Sequence, residues 1–231
     1  MTLGMMQPYL FPYLGYFQLI NSVDKFIFYD NINFIKRGWV NRNRILIQNE
    51  AKYLTVPLKS ASAFKKINEL ELISSDFKKL KKKIQLAYGK APQYDRVYPL
   101  IEECLDLRTV KISELAIGAA RRVCRYLGVE TPSEVSSERF GFTEGMEKTE
   151  RIIAICRHVN ADTYINPVGG KDLYQKEIFQ DAGVHLFFLQ SGDWEYKQFK
   201  NHFIPNLSII DVMMFNPPEK INEMLNHYTL I

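Results

Sequence analysis

The chain opens with Thr2-Leu3-Gly4-Met5-Met6-Gln7-Pro8-Tyr9-Leu10-Phe11-Pro12-Tyr13-Leu14-Gly15-Tyr16-Phe17, and the order of residue types here points to an architecture. Thr2 to Met6 is a short apolar run ended by Gln7-Pro8, which reads as a buried strand stopped by a residue that cannot donate to a ladder. Pro8 and Pro12 stiffen the turn that follows. From Leu14, the apolar positions Leu14, Phe17, Leu19 and Ile20 predict a short helix ending near Asn21-Ser22. Lys25 to Tyr29 is a second apolar run between Asp24 and Asp30. Strand, loop, helix and strand make a βαβ unit, and a parallel sheet is its natural consequence.

Downstream, Ile45 to Ile47 and Tyr53 to Leu58 predict two strands joined by the polar turn Gln48-Asn49-Glu50, close enough to pair antiparallel. Ile67 to Ile73 alternates as another strand. Ser75 or Asp76 can cap a helix running through Leu86. Tyr98 to Leu105 reads as helical. Lys111 to Leu127 reads more strongly so, with Ile112, Leu115, Ala116, Ala119, Val123 and Leu127 on one face and Gly128 at the C-cap position. Val135 to Gly145 reads as an irregular loop, ordered but mobile. Lys148 to His158 predicts a helix, Thr163 to Ile165 a strand, Lys171 to Asp181 a helix closed by Gly183, and Val184 to Leu189 a buried strand. These last elements form a second βαβ unit. Leu207 to Phe215 predicts a helix packing back on the body. The expected fold is therefore α/β: a Rossmann-like, nucleotidyltransferase-like, mainly parallel sheet flanked by helices, with a helical C-terminal portion. Residues 1–231 read as one domain with a mostly helical segment at about 75–160.

The 231 residues are 46% hydrophobic and 24% charged, ample apolar content to offset chain entropy. The net charge of +4 suits a phosphate-bearing ligand but argues no nucleic-acid role. No apolar run reaches membrane-spanning length, and no leader pattern is evident. The three cysteines show no metal spacing and read as reduced thiols of a cytoplasmic protein. The four histidines are scattered, without HxxxH or HxH. No cofactor motif is found: GxGxxG, GxxxxGK[ST] and GxSxG are all absent.

The first strand-to-helix turn is the expected ligand site, because ligands of open α/β sheets lie beyond the strand carboxyl ends. Gln7, Tyr13, Gly15 and Tyr16 fall there. Class I nucleotidyl-transfer folds place His-x-Gly-His at this point, whereas Tyr13 and Tyr16 flank Gly15 here. A neutral phenol donates one hydrogen bond but carries no charge at neutral pH. Beyond the second strand, Asp30 is the candidate general base. Lys36, Arg42 and Arg44 are candidate phosphate ligands, Asn41 and Asn43 amide partners, and Trp39 a stacking platform. Gly169 and Gly170, before a helix, allow close backbone approach to an anion or sugar. The plainer reading is a surface strand with exposed arginines and an ordinary tight turn.

The run from Gln7 to Phe17, the runs Asp24 to Ile27, Asp30 to Ile45 and Leu54 to Leu58, and the later Ala161 to Ile165 and Leu207 to Asp211 together resemble the WbqC-like protein family. The resemblance spans nearly the whole chain. The family often has His before the Gln-Pro pair, where this chain has Met6. Such proteins belong to bacterial gene clusters for surface polysaccharides such as O-antigen. The resemblance therefore implies a role with activated sugars: a transferase attaching an acyl or aminoacyl group to a nucleotide-linked amino sugar. The other reading is a non-catalytic sugar-nucleotide-binding or scaffold protein of the same pathway. Expected partners are a small-molecule substrate (nucleotide sugar or acyl donor) and other pathway enzymes or a carrier protein.

Overall fold

The computed structural model describes residues 1–74, 76–199 and 202–231, so the capping role suggested for Ser75 lies outside the described residues. The opening stretch folds as its pattern dictates: β1 (Thr2–Met6), α1 (Leu14–Asn21) and β2 (Lys25–Phe28). β1 and β2 pair in parallel, Leu3 beside Lys25 through Met6 beside Phe28. The hairpin β3 (Arg42–Ile47) and β4 (Glu50–Thr55) is antiparallel, as expected from the short gap. Its two turn residues, Gln48 and Asn49, both sit at positive φ (49° and 68°). That geometry matches the right-handed twist of the flanking strands.

The expected strand at 67–73 is mostly another structure. Ile67–Glu69 forms a 3₁₀ turn, and only Glu71–Leu72 (β6) pairs, with Leu58–Lys59 (β5). Three helices follow: α2 (Lys78–Tyr88), α3 (Tyr94–Leu105) and α4 (Ile112–Tyr126). Asp76 Oδ1 accepts the Lys78 amide at 3.0 Å, so Asp76 supplies a first-turn partner for α2. The segment read as an irregular loop carries ordered elements: β7 (Ser133–Val135), α5 (Ser136–Arg139) and a 3₁₀ turn over Gly141–Thr143. Such short elements have no periodicity to read; neighbours impose them.

The remaining core elements are α6 (Lys148–His158), β8 (Thr163–Pro167), α7 (Lys176–Asp181), β9 (His185–Ser191), α8 (Ile209–Phe215), α9 (Pro218–Leu225) and β10 (Tyr228–Leu230). The single helix expected over 171–181 is instead a 3₁₀ stretch, Val168–Leu173, followed by the shorter α7.

The central sheet has six strands in the order β10-β9-β8-β1-β2-β7. All neighbours are parallel except β10, which runs antiparallel to β9. The architecture is mixed α/β with a mainly parallel sheet flanked by helices. Strand side chains alternate between two apolar layers. Leu3, Met5, Ile27, Tyr164, Leu186 and Phe188 face α6 and α7. Phe26, Phe28, Ile165 and Leu189 face the larger layer built on α1, the α2–α4 group, the hairpin, α8 and α9. Sequence order along the sheet reverses between β1 and β8. That is the switch point at which an open α/β sheet leaves a crevice outside its strand carboxyl ends.

The turn over this crevice is held from behind. Phe11 is buried at positive φ (46°), a conformation rare for a large residue. Its carbonyl accepts from Asn43 Nδ2 (2.8 Å) and Ser208 Oγ (2.7 Å). The Leu10 amide donates to the Val40 carbonyl, and the Ile209 amide to Pro12. The hairpin and α8 therefore impose the shape of the loop that follows β1.

Candidate functional site

A cleft of about 640 Å³ opens at the switch point, within the usual range for small-molecule sites. Its floor is the carboxyl end of the sheet: Met5, Met6 and Gln7 from β1 and beyond, Tyr164, Asn166 and Pro167 from β8, and Leu189, Gln190 and Ser191 from β9. Tyr9, Tyr13 and Gly15 wall one side. Tyr29, Ile32, Ile35 and Trp39, from the loop after β2, wall another. Val168, Gly169, Gly170, Leu173 and Tyr174 close it after β8, Lys148 enters from the start of α6, and Asn206 from the segment before α8.

Most of the chemistry is neutral. Gln7, Asn166, Gln190, Ser191 and Asn206 supply amides and a hydroxyl, and six aromatic side chains (Tyr9, Tyr13, Tyr29, Trp39, Tyr164 and Tyr174) supply flat apolar faces with polar tips. Burial raises the phenols: Tyr9 to about 12, with Tyr13 adding to it, and Tyr174 to about 12, with Tyr29 adding to it. Tyr13 is raised by burial. Tyr29 is raised by burial too, against the opposing Arg151 guanidinium, which lies 4.7 Å from its ring centroid. All of these phenols are therefore protonated donors at neutral pH. Lys148 is the one charged side chain among those lining the cleft. Its Nζ lies 4.8 Å from the Tyr174 ring centroid, none of the ion pairs among the described residues includes it, and burial lowers its pKa. The residue is exposed, and an ammonium without a carboxylate partner at the edge of an aromatic-walled cleft favours an anion.

The residues singled out in the sequence divide. Gln7, Tyr13, Gly15, Trp39, Gly169 and Gly170 are brought together in the cleft. Gly15 has a steric reason to be glycine: a Cβ there would meet Tyr13 Cε2 at 2.6 Å. Tyr16 is instead a core residue, its ring packed on Phe17 and Phe26 and its hydroxyl donating to the Gln7 carbonyl at 2.9 Å. It shapes the floor from beneath.

The hairpin polar group mostly braces backbone. Asn41 Nδ2 donates to the Val56 carbonyl (2.7 Å) and Asn43 Nδ2 to Phe11. The Arg42 guanidinium donates to the Gly38 carbonyl (3.0 Å) and to that of Arg37, and lies 4.4 Å from the Tyr53 ring centroid. Arg44 donates to the Asn206 carbonyl (3.1 Å) and approaches the Trp39 ring at 5.8 Å. Tyr53 and Trp39 lie 6.3 Å apart. Arg42, Tyr53, Trp39 and Arg44 thus form a stack that holds Trp39 at the mouth of the cleft. Lys36 is exposed, on the rim loop and not among the lining residues.

Asp30 sits just past β2 yet turns away from the cleft. Its Oδ1 accepts the Ser137 amide (2.9 Å) and Ser136 Oγ (3.1 Å), and its Oδ2 accepts Ser137 Oγ (2.7 Å). The carboxylate holds the start of α5, and it borders a separate hollow of about 250 Å³ with Lys111, Ser113 and Glu114. Behind it, Ser136 Oγ and Arg151 Nη2 both donate to Asn31 Oδ1, at 2.6 and 2.7 Å. This buried network sets the loop from which Tyr29 and Ile32 reach the cleft.

Sequence reasoning did not find Tyr29, Lys148, Asn166, Gln190, Ser191 or Asn206. Lys148 opens a helix, where a cation opposes the dipole, and that misfit was the one local signal available. Among the described residues, no group of His, Cys, Asp and Glu has the proximity to hold a metal ion, and no helix is long and apolar enough to cross a membrane.

The fold and cleft define an α/β protein with a largely neutral, aromatic-walled cleft at its sheet switch point. The sequence profile of the WbqC-like protein family matches residues 7–223, and the chain belongs to that family. It is similar to the uncharacterized protein Rv1507c of Mycobacterium tuberculosis, 29% identical over 209 residues that cover 89% of each chain. No solved structure matches significantly.

Proposed function

We propose that the cleft binds a nucleotide-linked amino sugar, and that the protein serves surface-polysaccharide (O-antigen) synthesis as a transferase placing an acyl or aminoacyl group on the sugar amine. The observation that carries the reading is the composition of the cleft: aromatic faces and neutral amides around a single cation, Lys148, which is itself exposed at the cleft edge. Aromatic rings and amides suit a sugar and a base, and the lone ammonium suits the phosphate between them. The strand order, reversing between β1 and β8, supports a Rossmann-like reading of the sheet and with it a nucleotide at this point. In the transfer, the sugar amine attacks the acyl carbonyl, the bond to the donor's leaving group breaks, and the proton lost by the amine passes to the departing group. Holding donor and acceptor side by side supplies most of the acceleration available to such a site.

Asp30 is not retained as the base, because both its oxygens are engaged away from the cleft. A second reading, binding without turnover, is favoured by one observation: no carboxylate, histidine or cysteine is among the lining residues.

Thermal shift with UDP-N-acetylglucosamine, UDP and free N-acetylglucosamine tests the site. Wild type is stabilised most by the sugar nucleotide, and Lys148→Met weakens its binding by about 10- to 100-fold, the worth of one charge-assisted hydrogen bond. Equal affinity in both proteins removes Lys148 as the phosphate partner. With UDP-glucosamine, whose amine is free, as the acceptor, mass detection of its N-acylated product supports transfer; tight binding with no product across acyl donors leaves the binding role.

A further inference from the structure

The loop after β2 and the loop after β5 are zipped together. The Phe34 amide donates to the Lys65 carbonyl (2.9 Å), the Ile67 amide to Ile32 (2.9 Å), and Asn33 pairs antiparallel with Lys66. The pairing ends there: the Lys65 amide turns back to the Ser62 carbonyl (3.2 Å) and the Gly38 amide to the Ile35 carbonyl (2.9 Å), so Ile35 and Phe64 are the first residues beyond the paired ends. Phe34 points inward and is buried, whereas Ile35 is 57% exposed and Phe64 95% exposed. Two large apolar side chains are therefore exposed on neighbouring loop tips, Ile35 next to the paired Phe34 and Phe64 next to the paired Lys65.

Lys36, Arg37 and Lys65 flank them. None of the three takes part in an ion pair among the described residues, whereas the neighbouring Lys66 is matched by Glu144 at 3.1 Å. We propose that these tips form a docking wedge for an anionic phospholipid surface: Phe64 and Ile35 enter the headgroup layer while Lys36, Arg37 and Lys65 lie against the lipid phosphates.

Charge complementarity identifies the occupant, and shape favours a bilayer over an acidic protein. A stable protein interface needs about 800 Å² of matched surface on each partner, whereas a bilayer accepts a lone projecting ring. The placement has a consequence for the cleft. Ile32, Ile35 and Trp39 of the same loop line it, so docking sets the cleft mouth at the lipid surface, where a lipid-linked acceptor or product would be exchanged. The wedge does not depend on what the cleft binds.

Vesicle co-sedimentation of the full chain tests this, using phosphatidylcholine alone and phosphatidylcholine mixed with phosphatidylglycerol. Wild type partitions onto the anionic vesicles and not the neutral ones. Phe64→Ser lowers the partition coefficient about tenfold or more, the worth of burying one aromatic side chain. Lys36→Glu/Lys65→Glu lowers it further, since each basic residue contributes roughly fivefold at an anionic surface. Both variants are at exposed or half-exposed positions, and unchanged melting verifies their folds. Equal sedimentation with both vesicle types, no sedimentation, wild-type partitioning by both variants, or binding to soluble polyglutamate in place of vesicles overturns the proposal.

Discussion

Tyr88→Phe removes one oxygen atom from the interior, and the surroundings of that atom give the cost. Tyr88 is fully buried; its hydroxyl donates to Asp211 Oδ1 at 2.8 Å and accepts the Leu46 amide at 2.9 Å. Asp211, buried in α8, also accepts from Tyr196 Oη (2.8 Å) and Gln198 Nε2 (2.7 Å). The phenylalanine leaves a strand N–H without a partner and takes one hydrogen bond from a buried carboxylate. Each loss is worth about 1–3 kcal/mol, so the sum is about 3 kcal/mol with some recovery by relaxation. For a chain of this size that is a fall in Tm of about 6–12 °C.

The same carboxylate gives the prediction a pH signature. Burial raises the Asp211 pKa above its ordinary 3.8, against the lowering effect of its three donors. A raised carboxyl pKa means that the folded state holds the proton more tightly than the unfolded chain. The cost of ionisation is therefore absent below the ordinary value and grows as pH rises through the window up to the folded value, so stability falls with pH there. Removing Tyr88 as a donor pushes the folded pKa higher still and widens that window; Asp211→Asn abolishes the slope. Chemical denaturation followed by far-UV circular dichroism across the acidic range measures both effects. A Tyr88→Phe protein within about 0.5 kcal/mol of wild type, with an unchanged pH profile, would refute the reasoning. The network matters beyond stability, because Tyr196 and Gln198 fasten the segment that carries Asn206 to the cleft and to Arg44.

Gly15→Ala forces a methyl group to 2.6 Å from the Tyr13 ring. The expected result is a displaced Tyr13, a loss of about 1–3 kcal/mol of stability and weaker binding of UDP-N-acetylglucosamine, read by denaturation and calorimetry. Burial pushes the thiols of Cys104, Cys124 and Cys156 up to about 12. The native protein is therefore expected to resist a thiol-specific chromogenic reagent at mildly alkaline pH, with all three thiols reacting on unfolding.

The elements that periodicity can reveal were legible in the sequence. β1, α1 and β2 follow from one apolar run, one proline-stiffened turn and one helical stripe, and α4 from an unbroken face ending at Gly128. Parallel pairing follows from the βαβ order. Gln7, Tyr13, Gly15, Trp39, Gly169 and Gly170 could be singled out because a site beyond the strand carboxyl ends is a consequence of topology, and topology was readable. The direction in which a side chain points was not. Asn43 and Arg42 have the chemistry of ligand contacts, but backbone carbonyls brought close by the fold compete for the same donors and take them. Asp30 has the chemistry of a base, but the start of α5, more than a hundred residues later in the chain, captures both its oxygens. Lys148 carries one weak local signal, a cation at a helix start. It becomes a candidate ligand anchor only where α6, β8 and the loop after β2 converge, because desolvation and the isolation of a charge are properties of three-dimensional surroundings and not of sequence neighbours.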